Sequence, residues 1–120
     1  MVNIENKIID YLNSIELDIT HDIGHIMRVT FNARKIAEKE GGNIEIITYS
    51  ALLHDIAKKD EVEGKIKDHA IEGAHRAEEL LNKYNYKNSS DVAFCIASHK
   101  SKNNRKRYGI GESENYRRVL

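Results

Sequence analysis

Apolar side chains recur every three or four residues along most of the first 100 positions of this 120-residue chain. This spacing is typical of α-helices that bury one face. No segment shows the alternation of apolar and polar positions that predicts a half-buried strand. The pattern predicts an all-α fold, a single compact bundle of about five helices at about residues 2–15, 21–40, 44–57, 69–84 and 91–99.

Residues that favour helix ends stand at these boundaries. Glycines at 41 and 42 end the second helix, and the predicted N-caps are Thr20, Asn43, Asp68, and either Ser89 or Ser90. The third helix is apolar on most sides, so we expect it at the centre of the bundle. Residues 58–67 are polar and contain glycine, which predicts a loop that could cover a site. Gly73 and Ala74 in mid-helix predict a close approach between helices.

Length and charge limit the classes of protein to consider. A chain of 120 residues holds one hydrophobic core rather than two. Nineteen basic and nineteen acidic residues cancel, which argues against a nucleic-acid partner or a membrane partner. The basic excess lies at the end, where residues 101–120 carry six basic and two acidic side chains. We therefore expect a helical domain at 1–100 and a basic, loosely ordered tail at 101–120.

The single cysteine and the absence of long apolar runs predict the compartment. Cys95 lies in an apolar run, so it is interpreted as a small buried hydrophobe rather than a catalytic thiol. One cysteine forms no intrachain disulfide, which fits a reducing compartment. With neither a membrane-length apolar run nor a signal peptide, we expect a cytoplasmic protein.

The polar residues with the clearest chemistry lie at predicted helix ends. His54 and Asp55 follow an apolar helix, and His25 lies in the first turns of the second helix, beside its apolar face. A buried imidazole and carboxylate need hydrogen bonds or a cation to be stable. These donors suit divalent metals, although a His-Asp pair is often simply hydrogen bonded at the surface.

An ordered set of such residues resembles the HD-domain metal-dependent phosphohydrolases. It spans about residues 18–100 and consists of His25 followed by Arg28-Val29, the run Ala51–Ile56 with Lys58, His69 followed by Gly73-Ala74, and the run Ile96–His99. The resemblance implies a helical core that binds a divalent metal ion, of the kind Mn, Mg, Fe, Co, Ni or Zn. It implies that the metal ligands are His25, His54 and Asp55.

The resemblance also implies roles for neighbouring residues. Asp55 would orient the attacking water as well as bind the metal, and Lys58 would hold or polarise a phosphate. His69 and His99 match positions that contact either the substrate or a second metal ion. Arg28 would neutralise phosphate or pair with a carboxylate such as Asp22.

For Asp22, capping and hydrogen bonding to a ligand are favoured over direct ligation. The chain departs from the family in one respect: no aspartate follows Asp91 to supply the usual last ligand, and the only later carboxylates are Glu112 and Glu114.

Three hypotheses follow. The first is a phosphohydrolase in which a metal-activated water attacks a small phosphorylated molecule, with a nucleotide as the favoured substrate. The second is a degenerate HD-type module that binds metal or nucleotide without turnover. The third is a helical interaction protein whose basic tail docks on an acidic partner. A homodimer is compatible with each of them.

Overall fold

The structure is a computed structural model that describes residues 3–18 and 22–98. Within these ranges the chain is helical, without strands, which confirms the all-α prediction. Its helices are α1 (Ile4–Ser14), α2 (Ile23–Glu40), α3 (Ile44–Leu53), α4 (Lys58–Val62), α5 (His69–Lys83) and α6 (Ser89–Ser98). The predicted domain boundary at residue 100, the tail at 101–120 and His99 lie outside the described residues and stay predictions.

The apolar helix α3 lies at the centre of the core, as its sequence predicts. Every residue from Ile46 to Leu53 is buried, and α3 contacts α1, α2 and α6. The amphipathic helix α5 packs along α6. Because all sides of α3 are covered, the residues that follow its last turn emerge inside the protein rather than at its surface.

Two predicted N-caps are confirmed and two boundaries differ. Asn43 and Asp68 accept backbone N–H groups at the starts of α3 and α5. Helix α2 begins at Ile23, where Asp22 rather than Thr20 is the cap: its Oδ1 accepts the His25 N–H at 2.9 Å. The prediction that Ser89 or Ser90 caps α6 is wrong, because both lie within the helix.

Helix α3 ends at Leu53, four residues before the predicted end. After it the backbone tightens, since Ile56 N–H bonds to the Leu53 carbonyl and Lys58 N–H to the Asp55 carbonyl, each three residues back. This turn spacing replaces the four-residue spacing of an α-helix. Residues 54–57 therefore form a buried turn.

The segment predicted as a loop at 58–67 begins with the short helix α4. All five of its residues are at least partly exposed, so polar contacts attach it to its neighbours. Lys59 pairs with Glu16, and Asp60 accepts a hydrogen bond from Arg76 at 2.7 Å. The loop prediction missed α4 because a helix without a buried side has no apolar periodicity.

Gly73 allows α5 to approach the turn that follows α3. A Cβ at this position would lie 3.7 Å from the His54 carbonyl oxygen and 3.7 Å from Cγ2 of Ile96. These are ordinary van der Waals distances, so a methyl group at this position would already contact both the turn and α6. The close approach predicted for Gly73 and Ala74 is therefore observed.

Cys95 is fully buried in α6, as predicted for a small hydrophobe. Burial raises the pKa of its thiol to about 12, so the thiol is protonated at neutral pH.

In the described part of the chain, the helices are too short or too polar to span a bilayer.

The Asp60–Arg76 contact generates a prediction for stability. The hydrogen bond from Arg76 lowers the pKa of Asp60, so its stabilising contribution is present above the ordinary value near 3.8 and is lost as pH falls through the lower folded value. We expect Asp60→Asn to reduce the free energy of unfolding by about 1 kcal/mol at neutral pH. The difference should disappear in strong acid. Urea unfolding at a series of pH values measures it, and a difference independent of pH would contradict the assignment.

Candidate metal centre

His54 and Asp55 occupy the buried turn after α3, with 6% and 7% of their surfaces exposed. The last turn of the preceding helix, α3, contains only apolar or small residues, and all of them are buried. The two polar side chains that follow it therefore also lie in the core. A buried carboxylate is stable only with hydrogen-bond donors or cations around it. The contacts of Asp55 therefore define the chemistry of this site.

The ring of His54 is oriented by the backbone. Its Nδ1 lies 2.6 Å from the Ala51 carbonyl oxygen, which can only accept, so Nδ1 carries a proton. Its Nε2 lies 3.1 Å from Oδ2 of Asp55. A backbone carbonyl that holds the other ring nitrogen is the usual arrangement for a metal-binding imidazole.

The second imidazole at the site belongs to His69, the first residue of α5. His69 is 5% exposed, and its Nε2 lies 3.3 Å from Oδ1 of Asp55. Its Nδ1 lies 2.9 Å from Oε2 of Glu61. The carboxylate of Asp55 thus lies between the Nε2 atoms of two histidines, one facing each oxygen.

Each of these nitrogen–oxygen pairs needs a positive charge between its atoms. A neutral imidazole protonated on Nδ1 presents a lone pair at Nε2, which repels a carboxylate oxygen unless a proton or a metal ion is shared. Burial lowers the pKa of His54, but the hydrogen bond and charge of Asp55, with the Ala51 carbonyl, raise it above its usual value overall. The site therefore attracts cations.

The distances in this cluster fit a divalent metal. Donors that bind one ion at about 2.0–2.2 Å lie roughly 3.0–3.4 Å from each other, which is the separation of Asp55 from both imidazoles. Within residues 3–18 and 22–98, however, no group of three or more His, Cys, Asp or Glu side chains is placed so that it could hold a metal ion.

His25 lies in the first turn of α2 and is half-buried. Nη1 of Arg28 and Oδ1 of Asp22 lie 3.6 and 3.4 Å from where a Cβ on Gly24 would stand, so both side chains flank this turn. Capping by Asp22, one of the roles considered for it, is observed. The roles of His25 as a ligand and of Arg28 beside phosphate stay predictions.

Lys58 begins α4 immediately after the buried turn. Its Nζ lies 3.0 Å from Oε1 of Glu61, and its side chain is 25% exposed. The ammonium group is thus held close to the Asp55–His69 cluster without being fully buried. Its predicted role with phosphate stays a prediction.

Glu61 is the residue of this site that the sequence interpretation missed. Burial raises the pKa of Glu61, but hydrogen bonds from His69 and Lys58 lower it by a larger amount. The net result is a pKa of about 2. The carboxylate is therefore ionised at all physiological pH values. The three-residue spacing from Lys58 would have suggested this pairing had the segment been recognised as helical.

A family model described as the HD domain matches residues 21–119. The match covers most of the chain and continues past residue 100, where the sequence pattern was expected to end. No solved structure matches the chain.

The cluster generates a prediction for metal binding. Chelated wild-type protein should be stabilised against heat by Mn²⁺, Co²⁺ or Zn²⁺, because binding to the folded state alone raises its stability. His54→Ala and Asp55→Ala should lower metal affinity at least about 100-fold, since each removes a donor. His75→Ala, at an exposed position on α5, is the control and should bind as wild type does. Equal affinity in all four proteins would contradict the assignment.

Proposed function

Because the chain belongs to the HD-domain family, we propose that it is a metal-dependent phosphohydrolase that acts on a small phosphorylated molecule, specifically a nucleotide. HD domains typically bind divalent metals and are generally hydrolases. The observation that best supports the proposal is the buried Asp55 carboxylate between the Nε2 atoms of His54 and His69. Such a cluster is costly without a cation and suited to holding one.

The proposed metal ligands are His54, Asp55 and His25. A bound divalent cation would supply an acidified water and neutralise charge on the phosphoryl oxygens. The Ala51 carbonyl keeps the proton of His54 on Nδ1, which leaves Nε2 free of a proton when the imidazole is neutral. Asp55 is proposed to accept hydrogen bonds from the reacting water as well, because a carboxylate has more lone pairs than one ion uses.

The proposed phosphate contacts are made by Lys58, with Arg28 as a second candidate. Lys58 is partly exposed beside a buried acidic and imidazole cluster, so its ammonium is reachable from solvent. As a compact point charge it suits a phosphate oxygen. Its bond to Glu61 limits the positions that it adopts.

The hydrolase proposal predicts a specific pattern of activity. A panel of nucleotides incubated with Mn²⁺, Mg²⁺, Co²⁺, Ni²⁺, Fe²⁺ or Zn²⁺ should release phosphate or pyrophosphate in at least one combination. His54→Ala and Asp55→Ala should reduce kcat/KM at least about 100-fold, because each removes a proposed ligand. His75→Ala serves as the matched control. Hydrolysis that survives either substitution would contradict the proposal.

A second candidate function is binding without turnover. It is favoured by the described residues, in which no group of three or more His, Cys, Asp or Glu side chains is placed so that it could hold a metal ion. Three protein ligands with an open position can still support catalysis. Stabilisation by metal and nucleotide together, with no product from any combination, would identify the binding module instead.

A further inference from the structure

The two carboxylate oxygens of Glu61 serve different parts of the site. Oε2 accepts the backbone N–H of His69 at 2.7 Å and lies 2.9 Å from the ring Nδ1 of the same residue. Oε1 accepts a hydrogen bond from Nζ of Lys58 at 3.0 Å. One side chain therefore links the histidine and the lysine that adjoin Asp55.

The contact with Oε2 determines which nitrogen of His69 faces Asp55. An ionised carboxylate can only accept, so the neighbouring Nδ1 carries the proton. The other ring nitrogen, Nε2, is thereby directed at Asp55 and lies 3.3 Å from its Oδ1. A carboxylate that sets the tautomer of an imidazole in this way is typical of metal and catalytic sites.

The attachment of α4 does not require Glu61. The hydrogen bond between Asp60 and Arg76 already joins α4 to α5, and Lys59 joins it to Glu16. These contacts lie on the more exposed sides of the helix, whereas the Glu61 side chain is 19% exposed and directed at His69. The inward direction of this one carboxylate is thus better explained by the site than by the stability of α4.

We propose that Glu61 is a positioning residue: it holds the ring of His69 with Nδ1 protonated and Nε2 facing Asp55, and it holds Lys58 next to the same cluster. The effect on His69 stands on the geometry of its contacts with Glu61 and Asp55. The effect on turnover rests on the proposed hydrolase function. Glu61 itself acts through these two residues rather than on the substrate.

The nitrogen resonances of His69 test the first part directly. In ¹⁵N-labelled wild-type protein without added metal, Nδ1 of His69 should carry a proton that is hydrogen bonded to Glu61, whether or not Nε2 also carries one. In Glu61→Ala the Nδ1 signal should move towards that of an unprotonated nitrogen, because Asp55 at Nε2 is then the remaining carboxylate that attracts the ring proton. Glu61→Met, which keeps side-chain length and helix propensity without a strong acceptor, gives the same readout if the alanine variant does not fold. An unchanged Nδ1 signal in the variants would overturn the proposal.

Activity measurements test the second part. Glu61→Ala should lose about 10–100-fold in kcat/KM, as is typical when the partner of a functional histidine is removed. Glu63→Ala removes an exposed carboxylate from the same segment, one that pairs with Lys65, and should remain within about twofold of wild type. Asp60→Asn weakens the attachment of α4 and should also keep near-normal activity.

The controls separate the two possible failures. A loss in Asp60→Asn as large as that in Glu61→Ala would overturn the proposal, because Asp60 contacts neither His69 nor Lys58 in the described contacts. If the wild-type protein hydrolyses nothing, the proposed function fails, while the Nδ1 signal of His69 still decides whether Glu61 positions it.

Discussion

The buried carboxylate of Asp55 is the group on which the rest of the site depends. Its two oxygens face His54 and His69 at 3.1 and 3.3 Å, in a part of the protein from which water is largely excluded. Charged groups interact strongly there, so the cluster is stable only while positive charge lies between nitrogen and oxygen. A proton or a divalent cation can supply this charge, and a divalent cation can be shared by several donors at once.

The helices around Asp55 explain why the carboxylate is buried at all. The central helix α3 ends inside the protein, and Gly73 lets α5 pack against the His54 carbonyl. Small residues also lie between α2 and α3, where Ala33 and Ala37 of α2 form one buried cluster with Ile47 and Ala51 of α3. Small residues therefore let the helices pack closely around the turn. The polar groups of the turn contact one another there.

The sequence predicted much of this arrangement, and the parts that it missed have a physical reason. The main helices carry an apolar face, so their three- and four-residue periodicity was visible. Helix α4 has no such face, because polar pairs attach it, and it was therefore predicted as a loop. Glu61 lies in that helix, and nothing in its immediate sequence indicates that it faces His69, eight residues further on. The distance between His25, the ligand proposed on α2, and the turn at 54–57 depends on how the helices pack. The spacing of residues along the chain does not determine this packing.

The site has a local part and a distant part. The local part lies within sixteen consecutive positions and consists of His54, Asp55, Lys58, Glu61 and His69. Because the chain that joins them is short, the entropy cost of bringing them together is small. Hydrogen bonds along this segment orient both imidazoles before any ligand arrives. His25 instead belongs to a separate helix, whose position relative to α3 depends on the packing of Ala33, Ala37 and Ala51. The proposed ligand His25 therefore depends on the packing of α2, whereas the orientation of His54 and His69 depends on the turn and α4.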